Sequence, residues 1–319
     1  MIGDVVQAEG APGPTLVLQR DRLPAGALAA CSELTVVRRW LDRTGRGHIR
    51  KFALLGASSD PSYDLDYRFV QCLPDGFDFR TGCGHSLLAA VAGTGRPGEV
   101  RVRAVTTGDT VVCVPEPHGT YSVRLERVAR LADLLPTGRP IERVCGLSAS
   151  IVHYGNPYVF VAARDLGLDS EHMLFAAGPA VLERLTSVRV AAARLLGMPP
   201  RGALPKVAAV GSYRPGRVSV RAVTVPGWHP ALALTGSVCL AAGTVVPGTL
   251  PSRLANESDS TSEPRSRHVR SLCLHTPSGP VRVSAEATTQ RLLHVAVHGK
   301  RARVLERAVR LPWRIRVTA

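Results

Sequence analysis

Short hydrophobic segments, many of them alternating with polar residues, dominate the chain. In runs such as EVRVRAV and PVRVSAEA every second side chain is apolar, which is the spacing of a β-strand with one buried face. Gly, Pro and polar residues separate the runs, as turns between strands require. The pattern predicts strands at TLVLQR, FALLG, EVRVRAV, TVVCV, TYSVRLERV, SASIVHY, YVFVA, KVAAVG, RVSVRAVTV, PVRVSAEA and LLHVAVHG.

Helices are expected at a few places between these strands. The clearest runs from Ala180 to Leu196, where the apolar residues fall on one helical face. The others are Leu23 to Leu41, Ser86 to Ala92 and Val238 to Ala242. Many strands with a few separate helices indicate the α+β class.

Two of the predicted helices are short, apolar and preceded by a similar turn. TGCGHSLLAAVAG spans Thr81 to Gly93, and TGSVCLAAG spans Thr235 to Gly243. The likeness predicts two pseudo-symmetric lobes, each a curved sheet around one buried helix. We place the boundary at 147/148, giving lobes 1–147 and 148–319, with the last strand or helix free to return to the first lobe. The polar stretch Ser252 to His268 is expected to be a surface loop.

The chain has 319 residues and a formal net charge of +15. Its basic residues are nearly all Arg, spread along the whole length, and aromatics are only 5%. No basic and aromatic stretch forms a stacking platform for bases, so a GC-rich coding sequence explains the charge better than nucleic-acid binding does. We expect a small-molecule substrate, no nucleic-acid partner and no membrane partner, and we allow for a homodimer.

Seven scattered cysteines without a C-x-x-C pair indicate neither a disulfide framework nor a zinc site, so no metal is expected. Reduced thiols and an N-terminus without a signal-peptide pattern predict a cytoplasmic protein. No apolar run is long enough for a membrane span.

Cys83 is the strongest candidate for chemistry in these residues. It precedes a predicted buried helix, where backbone N–H groups and the helix dipole favour a thiolate, and Gly82 and Gly84 allow an open turn. The alternative is a buried cysteine that only fills space. Lys51 opens a strand, and its context alone favours a lysine whose amine reaches solvent. Cys239 lies inside an apolar run, where packing and a site-lining role are equally open.

An ordered set of blocks resembles the methylaconitate-isomerase (PrpF) family over nearly the whole chain. The blocks are KFALLGASSDPSYDLDYRFVQ, TGCGHSLLAAV, LLPTGRP, YGNPYVFVAARDLGL, ALPKVAAVG and ALALTGSVCLAA. The resemblance implies a diaminopimelate-epimerase-like fold, an active site between the lobes and allylic proton transfer without a cofactor. It places the catalytic pair on Lys51 and Cys83. The implied substrate-binding residues are Gly84, His85, Ser86, Asn156, Thr235, Gly236, Ser237, Cys239 and Ser278.

The chain departs from the family where carboxylates are held. The family's R-G-G-T-S-K-G block aligns with EGAPGPT (Glu9 to Thr15), and G-N-C-G-N has become GCGH. N-T-N-T-G reads VTTG and H-P-S-G reads TPSG. Each lost donor or cation is suited to a carboxylate, and a charge-assisted hydrogen bond is worth about 1.5–3 kcal/mol. We therefore expect a larger and less charged substrate than a tricarboxylate, in specialised metabolism.

Three functions remain open at this point. The first is an isomerase that uses Lys51 and Cys83 for proton transfer on such a substrate. The second is a cyclase that folds a polyketide-type or polyene-type intermediate for ring closure without net proton exchange. The third is a binding protein without catalysis, which the presence of both candidate residues disfavours.

Overall fold

A computed structural model describes residues 1–224, 227–256 and 267–312. Contacts divide the chain into two compact units. The first contains Met1–Tyr121 and the chain from Lys300 onward, and the second contains Ser122–Gly299. Strands and helices are mixed in both, which confirms the predicted α+β class.

The strands are numbered in chain order. They are β1 Ile2–Ala8, β2 Thr15–Gln19, β3 Lys51–Ala57, β4 Leu65–Leu73, β5 Gly76–Asp78, β6 Val100–Ala104, β7 Asp109–Glu116, β8 Thr120–Glu126, β9 Ala129–Arg130, β10 Glu142–Val144, β11 Leu147–Tyr154, β12 Asn156–Ala162, β13 Lys206–Arg214, β14 Arg217–Thr224, β15 Gly227–Trp228, β16 Arg267–Thr276, β17 Gly279–Thr288, β18 Arg291–Lys300 and β19 Ala302–Arg310. The helices are α1 Ala27–Arg43, α2 Gly84–Thr94, α3 Glu171–Phe175, α4 Pro179–Leu195, α5 Leu234–Thr244 and α6 Leu250–Asn256.

In the first unit the strands pair in the order β19, β1, β2, β3, β4, β6, β7, with β5 as a short hairpin partner of β4. Two of these pairings are parallel, β2 with β3 and β4 with β6. The others are antiparallel. The final strand β19 pairs with β1, so the end of the described chain belongs with its beginning.

The second unit repeats this plan. Its strands pair in the order β10, β11, β12, β13, β14, β16, β17, β18. Two pairings are again parallel. The pair β12 and β13 corresponds to β2 and β3, and the pair β14 and β16 corresponds to β4 and β6. The helices occupy corresponding places as well. Helix α1 follows β2 and α2 follows the short strand β5, whereas α3 and α4 follow β12 and α5 follows the short strand β15. The repeat predicted from the two short motifs that begin at Thr81 and Thr235 therefore extends over whole units.

Helices cover both faces of each sheet because the side chains of its strands alternate between the faces. In the first unit Leu16, Phe52 and Val70 point toward the apolar stripe of α1. Val6, Ala8 and Val17 point to the other face, where they pack with Ala89 of α2. Helix α2 is buried along nearly its whole length, and α5 is buried likewise in the second unit. A helix that is apolar on all sides requires such an enclosed place.

The long helix α4 lies where the pattern placed it, with Leu185, Val188 and Ala192 in the core of the second unit. The pattern did not predict the short helices α3 and α6 or the strands β1, β4, β5, β9, β10, β15, β16 and β19. No helix of the described ranges is long and apolar enough to cross a membrane.

Two expectations about boundaries differ from the structure. Contacts divide the units between Tyr121 and Ser122, whereas the sequence placed the boundary at 147/148. The region near 147 is instead the tight turn between β10 and β11, where Cys145 and Gly146 take positive φ angles of 50° and 77°. The expected loop from Ser252 to His268 is helical at its beginning, in α6, and its end belongs to β16. Residues 257–266 of that prediction lie outside the described residues.

Candidate active site

Cys83 is the N-cap residue of α2. Its backbone is extended, with φ −138° and ψ 103°, and its carbonyl accepts the first helical bond from Leu87 N–H at 3.0 Å. The thiol is half-buried. The amide groups of the first turn have no partner within the helix, so this end of α2 favours negative charge on Sγ. The sequence prediction of a cysteine at the start of a buried helix is confirmed.

Three hydroxyl groups lie near Cys83, and one of them bonds to its thiol. Ser86 Oγ donates to Cys83 Sγ at 3.3 Å, and Thr15 Oγ1 lies 2.9 Å from Ser86 Oγ. Tyr67 Oη donates to the Cys83 carbonyl at 3.0 Å. Burial raises the pKa of Tyr67 well above its usual range, and negative charge on Cys83 raises it further against a smaller effect of Ser86. Tyr67 therefore stays a neutral donor beside the thiol.

Lys51 lies at the same end of the same sheet face. It is the first residue of β3 and is in register with Thr15 on β2 and Gln71 on β4. Neighbours in register point to the same side of a sheet, and Thr15 points to α2, so Lys51 also lies on the α2 face. Lys51 is half-buried. The first unit thus places Lys51 and Thr15 on the sheet face that packs against α2, the helix that carries Ser86 and begins after Cys83.

The other residues predicted in this unit follow Cys83 directly. Gly84 is the first residue of α2. His85 is 2% exposed and Ser86 is fully buried. The Ser86 hydroxyl is the group that donates to the Cys83 thiol.

The second unit holds the remaining predicted residues. Asn156 at the start of β12 donates from Nδ2 to Thr235 Oγ1 at 3.4 Å, near the beginning of α5. Ser237 Oγ donates to the Ala233 carbonyl at 3.4 Å. Gly236 lies under Tyr158, and a Cβ added there would approach Tyr158 Oη to 2.6 Å. Ser278 is exposed in the turn between β16 and β17 and donates to the Pro230 carbonyl at 2.6 Å.

Cys239 is not equivalent to Cys83, although the two sequence motifs aligned them. It lies inside α5, fully buried, with its thiol donating to the Val152 carbonyl at 3.2 Å. Burial raises the pKa of Cys239 to about 12. The structure places this residue in the core, so packing rather than a site-lining role describes it.

The residue of α5 that corresponds to Cys83 is Ala233. Both helices have eleven residues and end in Ala/Gly/Thr, and Ala233 caps α5 as Cys83 caps α2. By the same alignment Gly236 corresponds to Ser86. Lys206 opens β13 in register with Tyr158, as Lys51 opens β3 in register with Thr15. The second unit therefore keeps the lysine position and has no thiol at the helix cap.

Thr15 and Tyr67 were not recognised as site residues from the sequence. Thr15 lies in EGAPGPT, a stretch that reads as a turn, and its partner Ser86 is 71 residues further along the chain. Tyr67 lies in the strand DYRFVQ, between the charged residues Asp66 and Arg68. Their roles depend on strand register, for which neither residue gives a local signal.

Solved structures identify the fold of the chain. The chain matches a structure described as methylitaconate-delta-isomerase over 98% of its own length and 98% of that chain, with 18% identity and a TM-score of 0.66. Racemase and epimerase structures match as well. The chain thus has the diaminopimelate-epimerase-like fold, as the resemblance implied.

The family model described as "PrpF protein" matches residues 125–312. This is more than half of the chain, so the chain belongs to the PrpF family. YbhH of Escherichia coli is 24% identical over 271 residues, which are 73% of this chain and 76% of that protein. The 4-oxalomesaconate tautomerase of Pseudomonas putida is 26% identical over 245 residues, 65% of this chain and 68% of that protein.

Proposed function

We propose that this protein is a cofactor-independent isomerase that moves a double bond or inverts a stereocentre by proton transfer between carbon and the pair Lys51 and Cys83. The observation that carries the proposal is the first-unit site, in which a helix-capping thiol and a lysine lie at one end of one sheet face. Family membership supports it, since relatives of this chain are named isomerases and a tautomerase.

The chemistry divides naturally between the two groups. A base for a carbon acid must be a neutral amine or a thiolate near neutral pH. One group removes a proton from carbon, electrons shift through the allylic system or onto the adjacent carbonyl, and the other group delivers a proton to carbon. The sum of protons is unchanged over the cycle, so no cofactor is required.

The groups close to Cys83 supply hydrogen bonds without charge. Thr15, Ser86 and Tyr67 are hydroxyls, and the raised pKa of Tyr67 keeps it neutral. None of the three carries a positive charge, whereas a polyanionic substrate gains most from cations. This composition supports a substrate with fewer carboxylates than a tricarboxylate.

The segment before Thr15 also supports a less charged substrate. Glu9 N–H donates to the Arg301 carbonyl at 2.8 Å, where the turn after β1 begins. Burial lowers the pKa of the nearby Lys300, and Glu9 opposes this by raising it. The Glu9 carboxylate thus lies near the Lys300 amine and reduces the attraction of that amine for an anionic substrate.

The proposal also includes a role in specialised metabolism and a cytoplasmic location.

The cyclase alternative gains no support from the relatives, whose names describe isomerisation. We therefore retain the isomerase as the single proposed function.

The substrate class is tested by proton NMR in D₂O with four probes. These are methylitaconate and 4-oxalomesaconate, the compounds in the relatives' names, and the methyl esters of both. Solvent deuterium is expected to enter the esters at least about tenfold faster than the free acids, which corresponds to one lost charge-assisted contact. Faster exchange of the free acids would contradict the less charged substrate while leaving the isomerase in place.

A further inference from the structure

A chain of hydroxyl groups leads from the sheet to the Cys83 thiol. Thr15 Oγ1 and Ser86 Oγ are 2.9 Å apart, and Ser86 Oγ is 3.3 Å from Cys83 Sγ. Thr15 is 2% exposed and Ser86 is fully buried, so bulk water does not replace either contact. These two residues come from β2 and α2, which pack against each other in the first unit.

Donor accounting gives this chain a direction. A serine hydroxyl has one proton, and the Ser86 proton is directed to Cys83 Sγ. When that proton is directed to Cys83 Sγ, Ser86 Oγ accepts and Thr15 is the donor of a pair in which either hydroxyl can donate. Tyr67, whose hydroxyl also contacts Ser86, is the alternative acceptor of the Ser86 proton. Tyr67 gives its proton to the Cys83 carbonyl. Two hydroxyls in series therefore point their positive ends at the sulfur, and each strengthens the other.

We propose that Thr15 and Ser86 are positioning residues that hold Cys83 as a thiolate and fix its direction relative to α2. The inference rests on the proposed function in giving this thiolate a catalytic task. A hydrogen bond to a charged acceptor is about twice as strong as one between neutral groups, so the chain favours the ionised sulfur over the thiol.

The second unit supports this assignment because the positions that correspond to Cys83, Ser86 and Thr15 all hold other residues there. Ala233 stands at the helix cap in place of the thiol, and Gly236 stands in place of Ser86. Tyr158 takes the register position of Thr15 and covers Gly236. Lys206 remains at the position of Lys51. The hydroxyl chain thus accompanies the cysteine and not the lysine, as expected if it serves the sulfur.

The proposal is tested by alkylation of the full-length protein with iodoacetamide, without any substrate. The tryptic peptide from Thr81 to Arg101 contains Cys83 as its single cysteine, so mass spectrometry follows this thiol alone. Rates are measured from pH 6 to pH 10 for the native chain and for Ser86→Ala, Thr15→Val and Thr15→Ser. Thr110→Val is the control, because Thr110 Oγ1 makes a similar 2.9 Å hydroxyl contact with Tyr63 away from Cys83.

Near neutral pH, Ser86→Ala is expected to slow alkylation of Cys83 about tenfold, the loss of roughly one charge-assisted hydrogen bond. Thr15→Val is expected to slow it about threefold, because it removes only the second member of the series. Rates at pH 10 should converge, since the thiolate then forms in all variants. Thr15→Ser and Thr110→Val should match the native chain across the range.

Two results would overturn the inference. One is a native rate at every pH in Ser86→Ala and Thr15→Val. The other is a rate reduced by the same factor at every pH, which indicates altered access rather than altered ionisation. If Ser86→Ala does not fold, the comparison of Thr15→Val with Thr15→Ser decides alone. Because alkylation needs no substrate, its outcome is separate from that of the proposed isomerase reaction.

Discussion

Asp66 on β4 is a buried carboxylate whose loss should weaken the first unit in a pH-dependent way. It is 1% exposed and receives two bonds from Arg103, to Oδ1 at 2.7 Å and to Oδ2 at 2.9 Å. Ser58 also donates to it, and Arg20 forms a second ion pair. Because Asp66 precedes Tyr67, this cluster fixes the strand that carries a donor to the Cys83 carbonyl.

The size of the effect follows from the pKa. The bonds from Arg103 hold the pKa of Asp66 at about 2, against an ordinary value of 3.8, despite the opposing effect of burial. Such a shift contributes about 2 kcal/mol of stability at pH 7. Because the folded pKa is the lower one, the contribution is present at neutral pH and is lost as the pH falls below about 5 toward 2.

We expect Asp66→Asn to lower the free energy of unfolding by about 3 kcal/mol at pH 7, since two partly buried arginines also lose their partner. At pH 3 the difference from the native chain should be about 1 kcal/mol smaller, because the native carboxylate has then lost about half of its advantage. Urea unfolding followed by circular dichroism measures both values.

The matched control is Asp133→Asn. Asp133 forms two bonds with Arg130 at 2.8 and 2.9 Å, but both side chains are on the surface. No measurable change in unfolding is expected there, because water screens exposed pairs. A difference for Asp66→Asn that is the same at pH 7 and pH 3, or below about 1 kcal/mol at pH 7, would refute the reasoning.

Two further predictions concern the second unit and the cysteines. Gly236→Ala should lower the free energy of unfolding by about 1–3 kcal/mol in thermal or urea unfolding, because its Cβ would meet Tyr158 Oη at 2.6 Å. Gly178→Ala is the control, since a Cβ there has nothing within 4 Å, and it should not lower the free energy of unfolding. Equal effects of the two substitutions would contradict the close packing at Gly236. In a thiol-reagent titration at pH 8, the exposed Cys145 should react at once. Cys113 and Cys239 are buried, and burial raises their pKa values to about 12, so they should react only after unfolding. Early reaction of Cys239 would contradict its core position.

Local pattern predicted most of the fold because burial repeats along the chain. The apolar stripe predicted α4, and the alternation of apolar and polar residues predicted β14 and β17. The short apolar runs predicted the buried helices α2 and α5. Strand β1 contains Gly and Asp, and β19 is rich in Arg, so neither has the composition of a buried strand. Their pairing with each other depends on contacts between the two ends of the chain, which no local window contains.

The site was predictable where a residue carries its own signal. Cys83 did so through its flanking glycines and the apolar helix behind it. Thr15 did not, because its importance comes from register with Lys51 and from contact with Ser86. Cys239 lies inside an apolar run, which left packing and a site-lining role equally open, and the structure places it in the middle of α5. Motif likeness gave the repeat, and helix register was needed to align it.

The most direct test of the central claim is deuterium exchange by variants of the catalytic pair. The most reactive ester or acid probe is incubated in D₂O with the native chain, Lys51→Ala, Cys83→Ala and Cys239→Ala, and proton NMR follows exchange at carbon. We expect Lys51→Ala and Cys83→Ala each to slow exchange by at least about a hundredfold, the usual contribution of a general acid or base. Cys239→Ala, which alters a buried thiol, should stay within a few-fold of the native rate. Native exchange rates in Lys51→Ala and Cys83→Ala would contradict the assignment of proton transfer to this pair.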